Sequence, residues 1–213
     1  MSKISEIEDF ISKNEWSQPR LDMCYTTSIK FILDELSNRH NISRLKLSLR
    51  RINRLCQYRL GHGPVLEIVV DALNSVLEKI GYIADEREGK ENLKLLREKI
   101  IDENASFPIV SFGPPYLADL KGEDVKYNVL GSPPWDHVIV PIGFNDKIKI
   151  FDPMEKILLK STKINFVPNA LSKPIFIHYW QTANPPYWIT WIEKKTEVKE
   201  GPLDKYVEGG VRV

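Results

Sequence analysis

Two apolar runs stand either side of a short polar turn: His137-Val138-Ile139-Val140-Pro141-Ile142-Gly143-Phe144 and Ile148-Lys149-Ile150-Phe151, with Asn145-Asp146-Lys147 between them. Both are rich in β-branched side chains, and this arrangement predicts a β-hairpin. An antiparallel pair brings the start of its first strand beside the end of its second. His137 opens the first run and Asp152-Pro153 closes the second. An imidazole is therefore expected to meet a carboxylate that fixes its orientation.

A second feature lies more than a hundred residues upstream. In Gln18-Pro19-Arg20-Leu21-Asp22-Met23-Cys24, the proline and aspartate read as a turn. Beyond it Ile29, Ile32, Leu33 and Leu36 fall at the spacing of one helix face. Cys24 should thus sit at a helix N-terminus, where unpaired N–H groups favour a thiolate. An inert buried cysteine is the competing reading, but a histidine paired with an acid completes a nucleophile–base–orienter set. Gln18 is placed to donate toward an oxyanion beside the sulfur.

Glutamine, five residues, then cysteine at a helix start resembles the papain-like cysteine peptidases. The His137–Phe144 run ending in Phe151-Asp152-Pro153 resembles one branch of them, the double-glycine leader (bacteriocin-processing) peptidases and their stand-alone relatives. The resemblance covers residues 10–180 and implies Cys24 as nucleophile, His137 as general base, Asp152 as orienter and Gln18 as oxyanion donor. It also implies an α+β, papain-like fold: an N-terminal helical lobe against a C-terminal antiparallel sheet, with the site between them. Tyr25 stands where the leader peptidases have glycine, so a bulky ring is expected to affect the cleft. A cleft of that branch takes glycine at the two positions before the cut, and the chain carries its own Gly209-Gly210.

Along the rest of the chain, residues 2–13 are expected to form an outer amphipathic helix, with Ser5 and Glu8 as a capping box. Leu45, Leu49, Ile52 and Cys56 mark another helix, with Cys56 in the core. A third helix spans 65–80 with Gly81 as its cap, a short strand covers 82–84, and a fourth helix contains Leu93 to Ile101. His62 is expected in a glycine-rich loop. A strand at 109–112 precedes a long loop over 114–134 that should border the cleft. Apolar runs at 157–159, 174–180 and 187–192 follow, with His178 expected as a structural histidine inside a strand.

With 213 residues, 42% of them apolar, the chain is expected to form one domain over 1–193, followed by a mobile tail over 194–213. Two cysteines without CxxC spacing give neither a disulfide framework nor a zinc site, and no metal or organic cofactor is expected. No apolar run reaches a membrane span, and no signal segment is visible, which suits a reducing cytoplasm. A net charge of +1 argues against a polyanion-binding protein, so no nucleic-acid partner is expected. The local exception is Arg39, Arg44, Lys46, Arg50, Arg51, Arg54 and Arg59, with no acid between Leu36 and Leu66. Such a run is ordinarily a solvated face; its sharper use is contact with an acidic partner. The expected activity is thiol-dependent hydrolysis of a peptide or isopeptide bond. The alternatives are transglutaminase-like acyl transfer and a catalytically idle binding module using the basic face.

Overall fold

The computed structural model describes residues 3–14, 16–20, 22–121, 136–161 and 166–195. Gly209-Gly210, Trp135 and most of the expected 114–134 loop lie outside the described residues. Six strands form one sheet: β1 (Tyr82–Arg87), β2 (Ile109–Phe112), β3 (His137–Phe144), β4 (Lys147–Phe151), β5 (Ala170–Ser172) and β6 (Ile189–Lys194). Their order is β1-β6-β2-β3-β4-β5, and every neighbouring pair is antiparallel. The helices among the described residues are α1 (Lys3–Lys13), α2 (Cys24–His40), α3 (Leu49–Leu55), α4 (Val69–Leu77), α5 (Leu93–Ile101), α6 (Pro114–Lys121), α7 (Glu155–Ser161) and α8 (Lys173–Gln181). None is long and apolar enough to cross a membrane.

This is an α+β fold, but the helices are not confined to the first half. α5 to α8 are interleaved with the strands, and β1 begins as early as Tyr82. The hairpin forms as its pattern dictates, with Val140 opposite Phe151 and Phe144 opposite Ile148. The register shifts between Pro141 and Gly143, where proline has no N–H to give the ladder. Every residue from His137 to Gly143 is buried, so both faces of β3 are covered. The cover comes from α1, α2, α5 and α6.

α2 is the central helix. Ile29, Phe31, Leu33 and Leu36 are each 0% exposed, which leaves it little solvated surface. Phe31 stacks on Phe151 with ring centroids 4.1 Å apart. That stack seats α2 against the end of β4, one residue before Asp152. α1 begins at Lys3, ahead of Ser5, so Ser5 lies inside the helix and is not its cap. Gly81 closes the helical stretch before β1 in the left-handed region, at φ 78°.

Two expectations change, and a run with no assigned element finds its place. Residues 114–121 are helix, not loop: Pro114 starts α6, where its missing N–H costs nothing. Ile157 to Leu159 lie in α7. The apolar run 174–180 is α8, with Pro174 in its first turn and Phe176, Tyr179 and Trp180 buried at helical spacing. His178 consequently sits exposed on a helix surface.

Candidate active site

Cys24 is the first residue of the 17-residue α2, and the preceding Met23 provides no side-chain cap. The first N–H groups of the helix are thus left uncapped by the residue before them. The turn into the helix is held by Asp22, whose Oδ2 accepts from Tyr58 Oη and the Gly61 amide, both at 2.6 Å. Arg20 Nε donates to the other oxygen at 3.2 Å. Partial burial works to raise this carboxyl, but the donors outweigh it and hold it below its ordinary value. These bonds also fasten the loop containing Gly61 and His62 beside Cys24.

His137 is 0% exposed and Asp152 5%. His137 Nε2 donates to Asp152 Oδ1 at 2.7 Å. The same oxygen accepts the Met154 amide at 2.7 Å, and Oδ2 accepts Tyr116 Oη at 2.8 Å. Tyr116 also lies parallel to the imidazole, with centroids 5.8 Å apart and planes within 2°. Burial and the adjacent carboxylate push its phenol well above the ordinary range, so it remains a donor. The imidazole is fixed in position and plane.

Its other nitrogen is different. His137 Nδ1 is buried and makes no hydrogen bond of ordinary geometry. Burial opposes a charge on the ring, yet Asp152, and after it the nearby Cys24, raise its pKa from 6.5 to about 10. The arrangement is an imidazole anchored through Nε2 and held in its protonated form at neutral pH, with Nδ1 on the side of Cys24.

A cavity of about 570 Å³ opens onto both Cys24 and His137. Tyr25 and Trp188 form one wall, packed edge to face with centroids 5.1 Å apart. The Tyr25 ring, next after Cys24, is thus buried in the wall of the cavity. Asp136 lines the cavity beside His137, with Oδ2 accepting the Asn184 amide at 2.5 Å and Ser111 Oγ at 3.5 Å. Burial raises its carboxyl above the ordinary value despite those two donors.

No protein-family model matches the chain, and no curated protein does. The site is therefore weighed on its geometry. Among the described residues no cluster of His, Cys, Asp and Glu is arranged to hold a metal ion.

The structure brings Cys24, His137 and Asp152 to one place. Gln18 lies near them, its backbone N–H bonded to Pro153 O at 3.0 Å. Its side chain is buried and does not line the cavity; Nε2 donates to Arg20 O at 2.7 Å. Cys56 is 0% exposed, and burial pushes its thiol up to about 12. His62 lines the cavity from its loop. Arg39 leaves the expected basic face: its guanidinium is 7% exposed and bonded to Glu35 at 2.7 Å. Sequence reasoning missed Tyr116, Asp136 and Trp188. Tyr116 carried a usable signal, since Gly113-Pro114-Pro115-Tyr116 has the proline of a helix start. Asp136 directly precedes His137 in the sequence, whereas Trp188 is joined to the site by tertiary packing.

Proposed function

We propose that the protein is a papain-like thiol hydrolase that cleaves a peptide or isopeptide bond through an acyl group on Cys24. The observation that carries this is the free Nδ1 of His137 beside a cysteine that opens a helix onto the same cavity, with Nε2 anchored on Asp152. In the reacting state the sulfur is a thiolate beside the proton on His137 Nδ1, and it attacks the substrate carbonyl carbon. The oxyanion is held by the Cys24 backbone N–H. Collapse breaks the C–N bond, and the proton on Nδ1 passes to the leaving amine. Water then gives a proton to His137 and attacks the thioester, releasing the acid and restoring the thiolate.

Acyl transfer to an amine is the second reading, and Asp136 favours it. Its carboxylate stands in the cavity beside His137, where it would attract an ammonium group. The test is mass spectrometry of a peptide library incubated with the full chain and with Cys24→Ala, with and without added cadaverine. Hydrolysis predicts new free carboxyl termini with the wild type only, unchanged by the amine. Cadaverine-modified products would favour transfer, and identical libraries from both proteins would overturn the thiol reading.

A further inference from the structure

Folding divides the basic run. Arg39 turns inward onto Glu35, as above, whereas Arg44, Lys46 and Arg51 remain exposed. These three line a second concavity of about 510 Å³, and Lys79, distant in sequence, joins them there. No acidic side chain lines it. None of the four cations forms an ion pair among the described residues. The concavity shares no residue with the Cys24 cavity.

Four uncompensated like charges around one hollow repel each other and concentrate anions there. The floor narrows the class of anion. Leu47, Val76 and Ile80 also line the hollow, and Val76 and Ile80 are only partly buried. A bare phosphate uses donors and leaves such methyl groups in water. A peptide with carboxylates flanking an apolar side chain uses both parts, since apolar contact adds to charge pairing. We propose that this hollow docks an acidic segment of a partner polypeptide, with its carboxylates on Arg44, Lys46, Arg51 and Lys79 and an apolar side chain on Val76 and Ile80.

The test is fluorescence anisotropy of a labelled peptide of alternating Glu and Leu, titrated with the full chain at low salt. Saturable binding is expected, weakening as salt rises. The double variant Arg51→Glu/Lys79→Glu should lose about tenfold or more in affinity, because attraction is replaced by repulsion. Lys94→Glu/Arg97→Glu makes the same charge change on exposed positions of α5 and should stay within about twofold. Val76→Asp should also weaken binding. Circular dichroism checks folding; should the reversed variant not fold, Arg51→Gln/Lys79→Gln removes the same contacts and should cost several-fold in affinity. Equal losses from the α5 variant would show a net-charge effect and overturn the proposal. So would an inert Val76→Asp, an absence of saturable binding, or displacement of the peptide by tripolyphosphate or a single-stranded oligonucleotide more readily than by unlabelled peptide.

Discussion

The Lys3–Arg39 cluster and the His137–Asp152 pair beside half-buried Cys24 both tie together distant parts of the chain, and the charged side chains of both are buried. In the first, every donor nitrogen is bonded. Lys3 Nζ donates to the carbonyls of Lys99, Asp102, Ala105 and Ser106 at 2.7 to 3.1 Å. Arg39 donates to both Glu35 oxygens and to the carbonyls of Glu103 and Ala105. The second is saturated around Asp152, with three donors, but leaves His137 Nδ1 unmatched on the side of a cavity. A saturated buried network holds elements in place, here α1 and α2 against the segment between α5 and β2. Under the proposed function, the one unmatched atom is where a proton is given and taken back. Buried charge alone does not mark a site.

The largest expected effect separates the clusters by chemistry. His137→Ala should slow labelling of Cys24 by a peptide vinyl sulfone by roughly a thousandfold, since the base is removed. Arg39→Ala should leave that rate within about twofold. Similar losses in both would mean that His137 acts only through the fold.

Next in size is the stability counterpart. Arg39→Ala leaves Glu35 buried without its partner and should cost about 3 kcal/mol or more in urea denaturation. A loss below about 1 kcal/mol would show that the cluster is solvated in solution, as exposed pairs are.

The clusters should also have opposite pH dependence. His137 is raised from 6.5 to about 10, so between those values the folded state holds the extra proton. Its stabilisation is complete below 6.5 and is lost as pH rises through about 10. Lys3 is lowered from 10.5 to about 7, by burial first and then by Arg39. Between those values the unfolded chain holds the extra proton, so this contribution makes stability increase with pH. Each slope is limited to ~1.4 kcal/mol per pH unit, and the two oppose each other. Lys3→Met should reveal a falling slope between pH 7 and 9, and His137→Ala a rising one. Identical slopes in the two variants would break the comparison.

The smallest effect belongs to Tyr116→Phe, which removes one hydrogen bond to Asp152 but keeps the stacked ring. Labelling should slow by roughly threefold, in line with the loss of one such bond. A loss as large as that of His137→Ala would make the phenol itself part of the chemistry.

The parts of this site legible in the sequence are those set by local pattern. The hairpin emerges from two β-branched runs and a polar turn, and it alone determines the meeting of His137 and Asp152. The start of α2 at Cys24 follows from its turn and apolar spacing. α8 was not legible as a helix, because it packs on β2, β4 and β5 and its short apolar run shows no clear periodicity. α6 hid behind two prolines that break most helices but begin this one. Arg39 looked like part of a basic face because its acid, Glu35, stands just outside the acid-free window. The i, i+4 spacing of that pair was itself the clue. Asp136 was legible as the neighbour of His137, whereas Trp188 joins the cavity through packing that no local pattern encodes.

The central claim is that Cys24, and not Cys56, is the nucleophile. Intact-mass measurement and peptide mapping after exposure of the full chain to a peptide vinyl sulfone test it most directly. The account predicts one adduct on Cys24 in the wild type and in Cys56→Ala, and none in Cys24→Ala. An adduct on Cys56, or labelling of Cys24→Ala at the wild-type rate, would contradict it.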